Sequence, residues 1–360
     1  MKVSTLIIFL TILFKYTQLY MGSTINIVSI SILGIIVVDI ILCLKYKKIK
    51  NTKTFIIMLL LSIIVMIIAK DPNFILPLLI VVILQDEDLN VIVKKFFICS
   101  VIMFLLTIIL SELGIINSID WYKRDEENHL ILRNTLGFGN PNTVFLFIFG
   151  ILINYYLIKG RLSLKEKVVW LVIVIFFYQL TLCRTGFIVS VLFILFSNFF
   201  NKINENKVVK WIFNNAFLLL TILSFIIAFQ FGKSNNIIES LLSHRPIYWY
   251  LNIQGGISLI GNNVQVVLDN YMLNILCKQG ILVYIIYMVM FYKAIKKFNQ
   301  NQSDYKYTVV IIFTLIYGIS EAAISVSNNI SILLIFIIYF NNKFFVKNGD
   351  RNEKNIICDK

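Results

Sequence analysis

The stretch that decides the fold is FFICSVIMFLLTIILSEL, residues 96–113, in which Glu112 is the only charged residue. A helix rises about 1.5 Å per residue, so this run covers most of the ~30 Å hydrocarbon core of a bilayer. Lys94 and Lys95 precede it, and comparable apolar runs recur along the chain. The pattern predicts a protein that crosses the membrane many times.

The composition of the whole chain agrees with this prediction. Of its 360 residues, 59% are hydrophobic and 14% are charged, whereas about 25% of the residues of a soluble domain are charged. The strands of a spanning β-barrel would alternate apolar and polar residues, which these runs do not. We therefore expect an all-α, polytopic membrane helix bundle that forms one domain over residues 1–360.

Twelve spans are predicted from the apolar runs. The fourth is too short to cross alone and contains Pro77, so 54–84 is either a re-entrant hairpin or a broken pair of helices. The run after Lys2 lacks a small-residue cleavage site and is taken as the first helix. The spans are 3–21, 24–44, 54–69, 74–84, 96–113, 143–158, 168–182, 186–200, 211–230, 271–292, 307–320 and 329–345.

Positive charge predicts the orientation. The net charge is +14, but lysines between membrane spans mark the cytoplasmic side rather than a nucleic-acid surface. With the N-terminus inside, most basic residues fall on the inner side, so we expect a cell-membrane protein with both termini in the cytoplasm. The basic residues left outside are Lys70, Lys123, Arg124, Arg133, Arg184, Lys233 and Arg245. The five cysteines form no CxxC pair, so neither a disulfide framework nor a zinc site is predicted.

Two outer segments, 114–142 and 231–270, are too long for simple turns, which suggests function. The first ends in RNTLGFGNPN, residues 133–142. Its glycines allow the backbone to approach a ligand closely, and Arg133 offers a fork of hydrogen-bond donors. The alternative is a turn that only caps the next helix, with Asn140 or Asn142 as the cap.

The second outer segment and one short hairpin supply the other candidate cations. Arg184 lies between two apolar helices, where a cation needs an anionic partner unless it reaches the lipid headgroups. Arg245 precedes Pro246, which suits the first position of a helix whose free N–H groups attract anions. His244 beside it is a candidate base or a hydrogen-bonded loop residue.

Asp269 and Asn270 stand at the start of the tenth predicted span. Aspartate is a favoured helix N-cap, which is the alternative to a catalytic role for Asp269. Lys278 lies about two turns further along the helix and must be paired, face a polar cavity or reach the headgroups. Glu321, near the end of the eleventh predicted span, is another outer acid.

Three arginines and an acid on one face suit a substrate that carries phosphate. Arginine is the preferred bidentate partner of phosphate, and a carboxylate or imidazole can remove a proton from an attacking hydroxyl. The sequence contains no P-loop, HExxH, acidic metal pair or Rossmann glycine motif, so no cofactor, metal or nucleotide is predicted. A lipid that carries pyrophosphate fits this combination.

In three short stretches the chain resembles the Wzy-type polysaccharide polymerases of the O-antigen ligase/polymerase superfamily, which make capsule or O-antigen. These stretches are residues 133–142, Arg245 to Gly256 and Asp269 to Gly280. The third is similar to the ligase pattern His-Asn-x-x-Leu-x6-Gly, with Asp269 in place of the histidine. That difference favours a polymerase over a ligase.

The resemblance implies a GT-C-like bundle that acts at the outer leaflet. A glycan on undecaprenyl pyrophosphate would be transferred to a sugar hydroxyl of an incoming lipid-linked repeat unit. The expected partners are these lipid-linked units, membrane lipid, a chain-length regulator and a flippase, with no nucleic acid. The implied roles are diphosphate binding by Arg133, Arg184 and Arg245, a substrate-binding loop with Asn140, Asn142 and Asn270, and Asp269 as base with His244 as the alternate.

Two other functions stay open. A flippase or transporter for lipid-linked oligosaccharides would need several cations in its mid-membrane helices, whereas only Lys15, Asp39 and Lys278 are charged residues well inside the predicted spans. A ligase would make the same bond to a different acceptor. The sequence separates the ligase poorly from the polymerase.

Overall fold

Helices make up most of the computed structural model, which confirms the predicted helical class. The predicted spans 3–21 and 24–44 lie mostly or wholly outside the described residues, as does the chain after 340. The structure describes residues 5–6, 8–12, 52–84, 87–116, 121–124, 130–203, 206–232, 245–263, 268–300 and 304–340.

The described helices and strands are named in chain order. The first are α1 Thr52–Ala69, α2 Ile75–Leu84, α3 Leu89–Glu112, β1 Trp121–Arg124, β2 Leu130–Arg133, α4 Pro141–Lys159, α5 Leu164–Thr181 and α6 Arg184–Ile203. The others are α7 Lys207–Asn214, α8 Ala216–Phe231, α9 Arg245–Gln254, α10 Tyr271–Asn274, a π-helix Ile275–Gln279, α11 Ile281–Phe298, α12 Tyr305–Gly318 and α13 Ile330–Phe340.

Membrane-spanning character is clearest in the first half of the described chain. Leu89–Glu112 and Pro141–Lys159 are long and apolar enough to cross a membrane, and Lys207–Asn214 with Ala216–Phe231 would be a third span if the bent pair counts as one. Other apolar helices, such as Tyr305–Gly318, are shorter. These helices support a membrane location for the protein.

Two predicted spans prove to be broken, whereas the break within 54–84 is where the sequence predicts it. Residues 54–84 form α1 and α2, separated by a turn in which Lys70 has φ +51°. The span predicted at 211–230 is divided between α7, which ends at Asn214, and α8, which begins at Ala216 and meets α7 at an angle of 69°. The span predicted at 271–292 is α10, a π-helix and α11, with Gly280 at φ +97° between the last two.

The local sequence explains the boundaries of the central hairpin. Helix α4 begins with Asn140 as N-cap and Pro141 in the first turn, and it ends at Gly160, whose φ of +78° suits only glycine well. Helix α5 begins with a capping box between Ser163 and Glu166. The loops between successive helices are short, so α5 runs antiparallel to both α4 and α6.

Basic residues lie at both ends of these three helices and are more numerous at one of them. At one end, Lys159 Nζ lies 3.4 Å from Glu166 Oε1, Lys306 Nζ donates to Leu157 O at 2.7 Å, and Lys167 Nζ donates to a carbonyl of α6 at 3.0 Å. At the opposite end lie the first residues of α4 and α6, the last residues of α5, and strand β2. Arg133 is the last residue of that strand.

A polar loop also ends at the arginine side of the molecule. Residues 319–329, between α12 and α13, form no helix, although Glu321, Asn328 and Asn329 are all buried. The carbonyl of Asn328 lies so close to Gly150 that a Cβ there would come within 2.1 Å of it. In a membrane protein, irregular backbone of this kind must be buried in protein or line a cavity, because lipid cannot satisfy its polar groups.

Candidate functional site

Arg133 is held against the C-terminal end of α5. Its Nε donates to the carbonyl of Thr181 at 2.8 Å, and one of its terminal nitrogens donates to Asn142 Oδ1 at 3.1 Å. The neighbouring Asn134 N donates to Leu180 O at 2.9 Å. The cation thus meets the carbonyls at the negative end of a helix dipole, which stabilises its position.

Gly137, one of the two glycines of residues 133–142, has a packing role. Gly137 has φ +79°, and a Cβ there would lie 2.6 Å from Ser111 Cβ on α3. Phe138 is fully buried between Phe104 and Phe147. The sequence predicts that the backbone of this loop comes close to a ligand. At Gly137 the backbone comes close to the neighbouring helix α3.

Asn140 is the helix cap, one of the alternatives left open by the sequence. Its Oδ1 accepts from Asn142 N at 2.8 Å, and Pro141 follows at the first helical position. Asn142 has a second role, because its side chain accepts from Arg133. Asn142 therefore holds Arg133 in place, and Asn140 caps the start of α4.

Arg245 reaches the same region from the other side. It is the first residue of α9. The sequence predicts Pro246 as the first helical residue, so the predicted and observed starts differ by one residue. Its Nε lies 3.5 Å from Asp269 Oδ2, and its NH1 donates to Thr185 Oγ1 at 3.4 Å. The Arg245 side chain is 11% exposed and that of Asp269 is 38% exposed, so the carboxylate is the more accessible partner.

The α5–α6 hairpin lies between the two arginines. The pKa of the Cys183 thiol in this hairpin is raised to about 11, chiefly by burial and in part by Glu321, while a backbone hydrogen bond with Gly186 and the charges of Arg133 and Arg245 act in the opposite direction. The pKa of Arg133 is lowered by burial and also by the like charge of Arg245. Two arginines from distant parts of the chain therefore share one electrostatic environment around Cys183.

A buried hydroxyl group, that of Tyr317, lies beneath the hairpin and has unused hydrogen-bonding capacity. Gly186 packs so closely that a Cβ there would lie 2.6 Å from the hydroxyl of Tyr317. Within the described residues, that hydroxyl has no hydrogen-bond partner, and neither has the buried Oγ1 of Thr135. A buried polar atom that is not hydrogen-bonded is costly, and such atoms often mark a site that a ligand or water completes.

Asn270, not Asp269, caps the helix that follows. Asn270 Oδ1 accepts from Leu273 N at 2.9 Å, and its Nδ2 donates to Ser224 Oγ and Ile319 O, both at 2.9 Å. The interpretation of Asp269 as an N-cap is therefore wrong, and its carboxylate faces Arg245 instead. Because the Asn270 amide is fully buried and engaged, it positions Asp269 by joining α8, α10 and the buried loop.

The structure brings some of the candidate residues together and leaves others apart. Arg133, Asn142, Arg245 and Asp269 converge on the α5–α6 hairpin, and we call them the arginine site. Arg184 is exposed at the first residue of α6, next to Thr185. His244 lies outside the described residues.

Two contributors were missed by reasoning from the sequence. Thr185 and Tyr317 belong to a short hairpin and an apolar helix, and only their distance to the arginines and to Gly186 reveals them. Among the described residues, no three His, Cys, Asp or Glu side chains come close enough to hold a metal ion. Comparison of the chain with protein-family models, curated proteins and solved structures finds no match.

Proposed function

We propose that the chain is a membrane glycosyltransferase that polymerises undecaprenyl-pyrophosphate-linked oligosaccharide repeat units at the outer face of the cytoplasmic membrane. The observation that carries the proposal is the convergence of Arg133 and Arg245 on one hairpin, with Asp269 3.5 Å from the second arginine. Two guanidinium groups and one accessible carboxylate suit a reaction in which a diphosphate leaves and a hydroxyl loses its proton.

The proposed topology is a GT-C-like bundle of twelve spans with both termini in the cytoplasm. Its support is the uneven number of basic residues along α4, α5 and α6: Lys159, Arg161, Lys165 and Lys167 lie at the turn between α4 and α5, whereas Arg184 is the basic residue beside the turn between α5 and α6. The positive-inside tendency then assigns the lysine end to the cytoplasm. In that orientation the arginine site opens to the outer face, where lipid-linked units are displayed.

In the proposed reaction, the bond between the anomeric carbon and the pyrophosphate oxygen breaks. The acceptor hydroxyl oxygen forms the new bond to that carbon, and its proton passes to the Asp269 carboxylate, with His244 as the alternate acceptor. Arg133 and Arg245 stabilise the negative charge that grows on the departing diphosphate. The donor already carries its leaving group, so the chemistry needs no nucleotide.

Because Arg245 and Asp269 form an ion pair, we propose that diphosphate binding precedes proton transfer to Asp269. While Asp269 is paired with Arg245, the guanidinium occupies one of its carboxylate oxygens. A bound diphosphate competes for the same guanidinium through shorter, charge-assisted hydrogen bonds. Binding of the donor therefore releases Asp269 to act as the base.

Reconstitution into liposomes tests the proposal. The purified protein is given lipid-linked repeat units extracted from its host, and the products are separated on a gel. The proposal predicts a ladder whose steps equal one repeat unit. Movement of the lipid-linked units across the bilayer without a ladder would favour a flippase, and transfer of the glycan only to an acceptor other than these units would favour a ligase.

A further inference from the structure

A second polar cluster lies where two broken helices meet. Asp71 follows α1 in the break before α2, and Lys278 and Gln279 are the last residues of the π-helix. Asp71 Oδ2 accepts from Gln279 Nε2 at 3.2 Å and lies 3.8 Å from Lys278 Nζ. Its Oδ1 accepts from Asn73 N at 2.9 Å. We call Asp71, Lys278 and Gln279 the Asp71 cluster.

The backbone around this cluster is closely fitted. Lys278 O accepts from Asn262 N at 2.8 Å. At Gly280, φ is +97° and a Cβ would lie 2.5 Å from Gly261 N, so only glycine fits between the π-helix and this neighbouring segment. Tyr287 OH donates to Asn73 O at 3.4 Å. Contacts from four separate segments hold the cluster, which is what a preorganised binding site requires.

Two polar groups of the cluster have capacity left for a ligand. Gln279 is 1% exposed, and its Oε1 has no hydrogen-bond partner within the described residues. Lys278 Nζ is beyond hydrogen-bond distance of Asp71, and its side chain is 30% exposed. The Lys278 ammonium is therefore the group that a ligand reaches first. The Gln279 Oε1 behind it is a buried acceptor that lacks a donor among the described residues.

The balance of charge indicates which ligand fits. The arginine site has two arginines near one aspartate, a surplus of positive charge that suits a diphosphate. In the Asp71 cluster one lysine and one aspartate cancel, so a dianion gains little there. A hydroxyl suits it better, because it accepts a hydrogen bond from Lys278 and donates one to Gln279 or Asp71.

The cluster is linked directly to the arginine site. Asp269 and Gln279 stand at opposite ends of the segment formed by α10 and the π-helix, about 15 Å apart for a helical rise. Helix α11 has 18 residues, enough to cover about 27 Å of the bilayer without that segment. In the proposed orientation, the Asp71 cluster therefore also lies towards the outer face. π-Helical segments are rare and frequently occur at functional sites.

We propose that the Asp71 cluster is a carbohydrate subsite, which binds hydroxyl groups of the oligosaccharide while the arginine site binds the diphosphate. The inference rests on the proposed function for the identity of the sugar carrier. Lys278 holds the sugar at the entrance, and Gln279 and Asp71 accept its hydroxyl protons in hydrogen bonds.

Two binding probes test this assignment in the purified full-length protein. The first is the phosphate-free oligosaccharide that mild acid releases from the host's lipid-linked units, and the second is inorganic pyrophosphate. Lys278→Gln is expected to raise the Kd for the oligosaccharide about tenfold, the size of one lost charge-assisted hydrogen bond, and to leave pyrophosphate binding unchanged. Arg245→Gln is expected to do the reverse.

Lys70→Gln is the matched control, because this exposed lysine is next to Asp71 in the chain but outside the cluster. It should bind both probes as the wild type does. Lys278→Gln is the deciding variant, because its partly exposed side chain tolerates exchange, and Asp71→Asn is a second variant if its unfolding midpoint is unchanged. Wild-type oligosaccharide affinity in Lys278→Gln, or no oligosaccharide binding by the wild type, would overturn the inference.

The same measurements separate this inference from the proposed function. If oligosaccharide binding follows the expected pattern but reconstituted protein makes no ladder, the carbohydrate subsite stands and the polymerase function fails. If a ladder forms and Lys278→Gln binds the oligosaccharide normally, the polymerase function stands and the subsite fails. Displacement of bound oligosaccharide by pyrophosphate would also contradict two separate subsites.

Discussion

Arg245 Nε lies 3.5 Å from Asp269 Oδ2, although the two residues are 24 positions apart in the chain. This ion pair joins the cation proposed to bind the diphosphate to the acid proposed to take the proton. Arg245 also reaches Thr185 on the α5–α6 hairpin. One side chain thus links two parts of the site, and its loss should affect both substrate binding and chemistry.

Replacing Arg245 by alanine should lower the rate of polymer formation by about 10²–10³-fold, the usual cost of removing one preorganised donor to a developing charge. Lysine should restore little, because it lacks the planar fork that meets two oxygens at once. The rate is measured in proteoliposomes from the early growth of the ladder. Arg161→Ala, at the lysine end of the bundle, is the control and should leave the rate unchanged.

Asp269→Asn and Asp269→Ala should each lower the rate by about 10²–10⁴-fold, since both remove the proton acceptor. Asp269→Glu should retain part of the activity, because it keeps a carboxylate. Glu112→Gln changes another exposed acid at the same end of the bundle and should be neutral. Wild-type rates in both Asp269→Asn and Asp269→Ala would remove Asp269 as the base and leave His244 to be tested.

Gly137→Ala should destabilise the protein by about 2 kcal/mol or more, through positive φ and the clash with Ser111 on α3. Gly114→Ala is matched to it, because Gly114 has φ +69° but open space where a Cβ would stand. The midpoints of thermal unfolding in detergent should therefore fall in the order wild type, Gly114→Ala, Gly137→Ala. Equal midpoints for the two variants would contradict the close packing of this loop.

The Cys183 thiol should react slowly with maleimide at pH 8, because a pKa of about 11 leaves about one molecule in a thousand as thiolate. The rate should rise about tenfold for each pH unit until the pH approaches that pKa. A variant with Cys183 as its sole cysteine allows the measurement, and the same protein denatured in SDS is the control. Rapid labelling of the folded protein at pH 8 would show that the hairpin is open.

The sequence predicts the helical class, and its rare charged residues single out most residues of the arginine site. It does not predict what each of these residues contacts. Arg133, Arg245 and Asp269 could be selected because charge is rare in this chain and costly beside apolar spans. Their convergence could not, since the contact between Arg133 and Thr181 joins residues 48 positions apart. Which of Asp269 and Asn270 caps α10 also depends on tertiary contacts, because either residue type suits an N-cap.

The sequence predicts the break within 54–84 but not the breaks at residues 215 and 280. Residues 281–292 are apolar, whereas 271–280 contain Asn274, Lys278, Gln279 and Gly280, and these polar residues do not specify a π-helix. At the second break, Gly280 has φ +97° and packs so closely against another segment that a Cβ would lie 2.5 Å from Gly261 N. Likewise, Lys278 could be recognised as a costly charge but not matched to Asp71, which is more than 200 residues away in the chain.

The most direct test of the central claim is the count of undecaprenyl pyrophosphate released by proteoliposomes that contain the protein and lipid-linked repeat units. If the arginine site performs glycosyl transfer, one undecaprenyl pyrophosphate appears for each repeat unit joined, and Arg133→Ala and Arg245→Ala each lower this release by about 10²–10³-fold while protein abundance is unchanged. Release that is absent in the wild type, or that stays at the wild-type rate in both variants, would contradict the account.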